Sequence, residues 1–425
     1  DEFLSWTSGT GDPDFEERYP IVKVPRQLDE LVIWLRQGTK TDPFSGNDWR
    51  DVCQKEFATV VRAFGILCQE NFWPSRYWED ALYTWSDEKQ IQECWIDVAP
   101  LVAQMPDELL STLAHSATWW LQSASKKKLN CHEDLFFDLC RRYLAIDYQN
   151  EVNNERDPVS HSINHPVGHI TQALINVWFL RQPNDNDGLP DDINPLLTKM
   201  CGLEKAQYRH GRVVLASRLI SLFRIDRAWT EQYLLPFLSW QNSESEARAT
   251  WMGFLWSPRI YWPLLTACKD DFLETAKHYE VLDTWGAQYV NLLTFAALDP
   301  VSTFTTKEYR SAIDSLPQAR LEIVAGSLAR ALEGAGEQRE QYWQDCVRPF
   351  WQEIWPKDKQ NMSTSIAENL AHLSIAAGGK FPDALATFID WLQPFDPYYI
   401  LDFLGKSDLC SRFPQDVLTL LDRII

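Results

Sequence analysis

The chain has 425 residues, of which 45% are apolar, and it contains 20 Trp and 21 Phe. This supply of apolar side chains is enough for a large core, so it excludes a disordered chain and a small disulfide-stapled module. The 60 acidic and 40 basic residues give a formal net charge of −20, opposite to the basic surface that nucleic-acid binding requires. We therefore do not expect duplex DNA or RNA as the main partner.

Membrane and secretory signals are missing from the sequence. It has no run of the roughly 18 to 20 apolar residues that a spanning helix needs, and its mean hydropathy is −0.33. The nine cysteines form no CxxC pair and lie mostly among apolar neighbours, as reduced thiols do. The N-terminal Asp1–Leu4 has neither an initiator Met nor a signal peptide. We expect a cytoplasmic protein without a membrane segment, cut from a longer polypeptide.

The N-terminal part is predicted to be a linker followed by helices. Residues 1–25 are rich in Gly and Pro and read as an irregular linker. Within residues 26–160, apolar side chains recur at helical spacing from Trp49 to Cys68, which predicts one helix of about five turns. A second stripe runs from Leu109 to Leu121 after the start signal Pro106–Asp107.

Two polar, breaker-rich segments indicate where the chain divides. They are residues 150–158 and 182–190, both predicted to be exposed loops. We place a boundary near residue 160, which leaves residues 161–425 as a C-terminal helical region. Helix starts are predicted in it at Asp226, Ser243, Ser257–Pro258, Thr305–Thr306 and Ser363.

The pattern predicts an all-α protein. About twenty punctuated helical segments with short links favour antiparallel neighbours. A run of this length exceeds one bundle, so we expect helix pairs stacked into a curved solenoid-like array, or two lobes of such pairs. No fixed repeat period and no tetratricopeptide or ankyrin consensus is visible.

Six segments of the C-terminal region are distinctive: His165–Leu174, Tyr208–Leu215, Leu222–Thr230, Ala247–Arg259, Thr294–Asp299 and Ala331–Gln338. They resemble the C-terminal helical region of large bacterial sirtuin-like proteins, a group associated with anti-phage defence. The resemblance covers about residues 160–425.

This resemblance implies a parent protein whose upstream sirtuin-like domain cleaves NAD, with the present chain as a sensor or scaffold. The implied partners are a protein ligand, such as one encoded by a phage, the rest of the parent polypeptide, and further copies of the chain. The chain itself has no GxGxxG and no Walker-type loop, so we predict no cofactor and no catalytic residues.

Possible metal ligands are better explained by helix capping. His161, His165 and His169 are four residues apart, but Pro166 indicates that Asn164 or His165 caps a helix whose first turn holds the proline. The run Cys131–Asp134 reads as a helix start capped by Asn130.

A cluster of arginines is the preferred binding surface, since guanidinium groups recognise carboxylates and phosphates. The alternative is an internal ion-pair network with Asp226, Glu231 or Glu204. The predicted surface residues are Arg209, His210, Arg212, Arg218, Arg224 and Arg227.

Large rings offer a second set of candidate contacts, Trp251, Trp256 and Trp262. Such rings either fill the space between helix pairs or anchor a protein ligand. In the adjacent pair Trp119–Trp120, we expect one ring to be exposed, because neighbouring side chains lie about 100° apart around a helix.

The chain is thus interpreted as a non-catalytic sensor or scaffold. The alternative is an all-α enzyme such as a glycoside-processing helical toroid, which would need a pair of carboxylates at an aromatic-lined cleft. No pair among the 60 acidic residues stands out by spacing.

Overall fold

A computed structural model describes residues 22–37, 47–87, 90–129, 131–148, 157–358 and 362–425. In these ranges the chain forms helices and no β-strand, with an isolated parallel bridge between Val22 and Asn47. The all-α prediction is therefore confirmed. None of the described helices is both long enough and apolar enough to cross a membrane. Residues 1–21 of the predicted linker and residues 150–156 of the first predicted loop lie outside the described residues.

The chain divides into two compact units, of which the first ends at Val214 and the second runs from Leu215 to Ile425. This division does not coincide with the predicted boundary near residue 160. Helix Pro166–Leu180 packs against Ala114–Ser125 and Glu133–Ala145, so one core includes residues from both sides of position 160.

The first unit is built from two series of stacked helices. One series contains, in order of contact, Leu28–Gln37, Phe57–Gln69, Ile91–Ala103 and Glu133–Ala145. The other contains Trp49–Lys55, Ser75–Thr84, Ala114–Ser125 and Pro166–Leu180. The series alternate along the chain, so successive helix pairs form a two-layer stack, as predicted. Among the described residues of this unit, the remaining helices are Asp107–Thr112, Pro158–Asn164, Asn194–Met200 and Tyr208–Ala216, the last of which continues past the boundary.

The two longest predicted helices of this unit are each broken. The stripe from Trp49 to Cys68 forms two helices that meet at Glu56, and the stripe from Leu109 to Leu121 is interrupted at Leu113. At Glu56 the two halves belong to different layers of the stack, so the chain must turn between them. Apolar periodicity continues through the turn because both halves bury their faces in the same core.

The second unit contains one comparable series, and its other elements are short and varied. Helices Gly286–Leu298, Leu321–Gly334, Thr364–Ala376 and Tyr398–Lys406 contact one another in that order. In the part of this unit that the structure describes, the other α-helices are Leu219–Ile225, Arg227–Trp229, Glu244–Leu255, Trp262–Ala267, Lys269–Glu274, Thr306–Asp314, Arg339–Tyr342, Phe381–Phe388, Leu409–Arg412 and Pro414–Ile424. Single turns of π-helix cover Thr230–Leu234, Trp343–Val347 and Phe350–Ile354. Segments of 3-10 helix are Leu235–Leu238, Thr275–Trp285, Gln318–Arg320, Gly336–Gln338, Gly378–Lys380 and Ile389–Trp391.

Four of the five helix starts predicted for this unit are confirmed. The side chains of Asp226, Ser243, Thr305 and Ser363 each accept a hydrogen bond from a backbone N–H of the first turn. The prediction at Ser257–Pro258 is wrong, because the helix begins at Trp262. In the first unit, the helix predicted to start after Asn130 begins at Glu133, and His132 precedes it with φ 59; Asn130 itself lies outside the described residues.

Tryptophan side chains join successive repeats within each unit. In the first unit, the indole N–H of Trp49 donates to the Tyr77 carbonyl at 3.0 Å, and that of Trp95 donates to the Cys131 carbonyl at 2.8 Å. In the second, Trp343 donates to Asp383 at 2.8 Å. These partners are 28, 36 and 40 residues apart, about one helix pair. The repeat is therefore visible in the bonding even though the sequence shows no period.

Candidate functional site

The predicted arginine surface is divided between the two units. In the first unit, Arg209 and His210 are half-buried on helix Tyr208–Ala216. Arg212 is 1% exposed, and its Nη1 donates to the carbonyls of Met200 and Gly202 at 3.1 and 2.8 Å. The prediction of a surface role for Arg212 is wrong, because this side chain fixes the end of helix Asn194–Met200 from inside the core.

In the second unit Arg218, Arg224 and Arg227 are all exposed. The Arg227 guanidinium pairs with Glu231 at 2.7 Å and lies 5.2 Å from the centre of the Phe223 ring. Arg227 thus pairs with Glu231, one of the partners named in the alternative, but both side chains are exposed and lie four residues apart, so this pair is not part of an internal network. A ligand-binding role for the exposed arginines stays a prediction.

The candidate rings differ sharply in exposure. Trp251 is fully buried and donates to the Leu238 carbonyl at 2.9 Å, so its predicted surface role is wrong. Trp262 is half-buried and donates to Asp299 at 2.9 Å. Trp256 is 44% exposed and remains a candidate contact. One ring of the pair Trp119–Trp120 is exposed as expected, since Trp119 is 38% exposed and Trp120 is buried.

The histidines near residue 165 cap a helix and pack against other side chains, as the sequence indicated. His165 accepts a hydrogen bond from the Val167 N–H through Nδ1, and Pro166 occupies the first helical position. The His165 ring stacks on His210 with 4.0 Å between centres, and His210 contacts Ser162 at 3.1 Å. In the described part of the chain, no group of three or more His, Cys, Asp or Glu side chains could hold a metal ion.

The closest-packed helices of the first unit bring together a set of polar side chains that the sequence did not single out. We call it the amide seam, the line where Ala114–Ser125 meets Pro166–Leu180. Its members are His115, Trp119 and Gln122 on the first helix and His169, Gln172 and Asn176 on the second.

Three contacts join the two sides of the amide seam, and a fourth lies within the second helix. Thr118 Oγ1 lies 2.9 Å from His169 Nδ1, and the Trp119 ring meets the His169 ring edge-on at 5.4 Å. Farther along, the Asn176 amide donates to Ser125 Oγ at 3.0 Å and accepts from Gln172 at 2.9 Å. Gln122, Gln172 and Asn176 are half-buried, so the amides lie at the boundary between core and solvent.

The amide seam contains no side chain with a permanent charge. None of its six members is Lys, Arg, Asp or Glu. His169 is 4% exposed, and burial lowers its pKa to about 4, with His115 and His165 contributing and the Ile163 backbone opposing. The imidazole is therefore uncharged at neutral pH, so it offers no counter-charge to a phosphate.

The sequence carried a signal for this site that was not used. His115, Trp119 and Gln122 recur at i, i+4 and i+7, and His169, Gln172 and Asn176 at i, i+3 and i+7. This spacing puts each trio on one face of its helix. Polar residues in that pattern on otherwise apolar helices indicate a partly exposed face, but only the structure shows that the two faces meet.

Groups suited to nucleophilic or acid–base chemistry are scattered. Burial raises the pKa of the Cys201 and Cys268 thiols to about 12, which makes them poor nucleophiles. Burial likewise raises the pKa of Asp271, helped by Asp270 and Glu274 and opposed by a hydrogen bond from Ser239. Asp271 belongs to the short helix Lys269–Glu274, so these carboxylates share one element rather than facing each other across a cleft.

Comparison with known proteins gives one distant similarity to report. The chain is 20% identical to the uncharacterized protein y4cA of Sinorhizobium fredii over 335 residues. This aligned stretch covers 76% of the chain. The chain spans about a quarter, 26%, of that relative's length. No family model matches the chain. No solved structure matches it either.

Proposed function

We propose that this chain is a non-catalytic protein-binding and scaffolding region of a larger cytoplasmic protein. The observation that supports the proposal is the stacking of helices, in two layers in the first unit and in one continuous series in the second. Stacked helix pairs expose long, continuous faces, and repeat proteins of this kind bind other proteins through such faces. The exposed Trp119 and Trp256 rings provide anchors of the type that dominates binding energy at protein interfaces.

The resemblance to the helical region of sirtuin-like defence proteins supports a more specific role. In that role the chain senses a protein ligand, such as a phage protein, and controls an upstream NAD-cleaving domain of its parent. A ligand has this effect only if it binds the active arrangement more tightly than the inactive one. The greater length of the relative y4cA is consistent with a parent that carries further domains.

The test is to express the parent protein with and without this region and to measure cellular NAD during phage challenge. We expect NAD to fall only when the region is present. A loss of NAD in both cases would show that the region neither senses nor assembles the effector. Unchanged NAD in both cases would remove the link to NAD cleavage.

A charge-reversal pair then tests the predicted surface of the second unit. Arg224→Glu removes an exposed arginine of the predicted series, and Lys277→Glu reverses an exposed charge elsewhere in the same unit. If the arginines bind the ligand, only Arg224→Glu suppresses the loss of NAD. Equal effects of both variants would mean that net charge alone matters.

A further inference from the structure

We propose that a cavity of the first unit binds one apolar side chain of a partner protein, within a segment that also carries acidic residues. This inference rests on the proposed function, because it names the kind of segment that a protein-binding array would take. The cavity has a volume of about 170 Å³ and lies where helix Ile91–Ala103 meets the turn after helix Ala114–Ser125. We call it the lysine-edged cavity, because Lys127 and Lys128 line it.

The inner wall of the lysine-edged cavity is apolar and closely packed. Ile91, Trp95 and Ala124 line it, and each is at most 2% exposed. The Trp95 ring lies 5.3 Å from the Trp120 ring, and its indole N–H donates to the Cys131 carbonyl at 2.8 Å. These contacts hold the first helix against the second and against the segment that follows it. The wall is therefore formed before a ligand arrives, which lowers the cost of binding.

The size of the cavity favours a single side chain as the occupant. Sites for cofactors and drug-sized ligands have volumes of about 300 to 1,000 Å³, larger than the 170 Å³ found here. Ile96, which also lines the cavity and is 46% exposed, extends the apolar lining towards solvent. A Leu, Met or Phe side chain that projects from a partner protein fits this shape, and its burial favours association.

Charge favours acidic residues beside that side chain. Lys126–Lys128 is a run of three exposed lysines on a chain with a net charge of −20, and no ion pair joins these lysines to another described residue. Lysines are favoured after any helix C-terminus, so the run alone does not indicate a ligand. Here two of the three line an apolar cavity. Glu93 lines it as well, so an acidic residue of the ligand finds its counter-charge on the lysine side.

The probe is a displayed library of short random peptides, selected on the full chain. We expect the selected peptides to share a Leu, Met or Phe next to Asp or Glu. Their affinity, measured by fluorescence anisotropy, should fall as salt is added, because exposed charges are screened. Replacement of the apolar residue of the peptide by Ala should weaken binding by about tenfold.

Two pairs of variants locate the bound peptide. Ile96→Ser should weaken binding by about tenfold, whereas Ile33→Ser, which changes a 51% exposed residue elsewhere in the first unit, should leave it unchanged. Lys127→Glu should weaken binding by about fivefold. Lys199→Glu makes the same change at another exposed lysine of this unit and should have no effect. All four residues are exposed, so the core stays intact.

The contact between lysine and acid is tested by a double-mutant cycle. Replacement of the acidic residue of the peptide by Gln should weaken binding to the wild-type chain by about threefold to fivefold. The same replacement should have no effect on a chain that carries both Lys127→Gln and Lys128→Gln, because the interaction is already absent there. A loss of equal size in both chains would place the acidic residue elsewhere and contradict the proposal.

Three further results would overturn the proposal. The first is a selection that yields no peptide, or peptides that bind the Ile96→Ser and Lys127→Glu variants as tightly as the wild type. The second is displacement of the peptide by cinnamate at the same concentration as by unlabelled peptide, which would make a free organic acid the ligand. The third is self-association of the wild-type chain in sedimentation velocity that Ile96→Ser abolishes, which would make a second copy the occupant.

These results are distinguishable from a failure of the proposed function. If the cavity binds no peptide but NAD loss still depends on this region, the proposed function stands and only the site is wrong. If NAD loss does not depend on the region, peptide binding at the cavity is still measured directly on the isolated chain.

Discussion

In the described part of the second unit, the buried polar side chains are all Ser or Thr, whereas the first unit also buries His165, His169, Gln207 and Arg212. The hydroxyls of the second unit bond mostly within their own helix. Thr230, Thr275 and Thr294 each donate to the carbonyl four residues earlier, at 2.7 to 2.8 Å. Such bonds form whenever the helix forms.

The first unit also has within-helix bonds of this kind, as from Thr171 to the Val167 carbonyl, but two of its buried polar side chains have partners far along the chain. His169 contacts Thr118 across 51 residues, and Gln207 accepts from the Tyr148 N–H across 59. These contacts exist only when the helices are stacked in register. We therefore expect the first unit to depend more strongly on single side chains and on pH, and four experiments test this contrast.

The largest effect is expected at Gly168. A Cβ at this position would lie 1.7 Å from the Ser162 carbonyl oxygen, so helix Pro158–Asn164 would have to move. Gly168→Ala should destabilise the first unit by more than the usual ~1 to 3 kcal/mol of overpacking. Gly65→Ala is the matched control, since a Cβ there meets nothing within 4 Å and alanine favours the helix. Urea unfolding measures the stability of both variants, and equal stability of the two would contradict the tight packing of Gly168 against Ser162.

The second-largest loss of stability is expected for Arg212→Met. It removes a charged donor from two carbonyls in a site that is 1% exposed, at a cost of about 2 kcal/mol for each carbonyl. We expect a loss of about 4 kcal/mol in the free energy of unfolding. Arg227→Met, whose partner Glu231 is also exposed, should change it by less than ~1 kcal/mol. A small effect of Arg212→Met would contradict its role inside the core.

Acidification should destabilise the first unit selectively. The pKa of His169 is about 4 in the folded chain against its ordinary value of 6.5, so between these pH values the unfolded state binds the proton more strongly. The contribution of uncharged His169 to the free energy of unfolding is therefore fully present above pH 6.5. It falls by about 3 kcal/mol as the pH drops to 4. The buried thiols Cys140 and Cys268 report on the two units separately, through their reaction with a dipyridyl disulfide in urea.

In this experiment Cys140 should become reactive at lower urea concentrations as the pH falls, and it should do so earlier than Cys268. His169→Gln should reduce the shift. If both thiols respond equally, the pH dependence comes from general charge rather than from the buried histidine.

The smallest contrast compares two buried threonines. Thr118→Val removes the hydroxyl that meets His169 and leaves the imidazole Nδ1 without its partner. Thr294→Val removes a hydroxyl that donates only to the Val290 carbonyl in the same helix. We expect Thr118→Val to cost about 1 kcal/mol more in thermal or urea unfolding. Equal costs would mean that the long-range bond adds nothing.

Sequence reasoning found more of the fold than of the sites. The helix caps at His165, Ser243 and Thr305 were predictable because a cap depends on residues within one turn. The stacking of helix pairs followed from the number of helices and the short links between them. Neither inference required knowledge of which helices touch.

The candidate surface residues were predictable only in part, because the type of a residue does not reveal whether its side chain points into the core or towards solvent. Arg212 and Arg227 look alike in sequence, yet one lies in the core and the other pairs with Glu231 at the surface. Trp251 and Trp256 differ in the same way. The amide seam was missed because its two halves are about fifty residues apart, as the 51-residue separation of Thr118 and His169 shows.

By itself, the sequence determined the all-α class and most helix starts, since apolar periodicity and capping act over one or two turns of chain. Tertiary structure decided where the long stripes break, as at Glu56, because the two halves must enter different layers. It also decided which polar groups are buried. Those groups gain their partners only when distant helices meet, and no local pattern encodes that meeting.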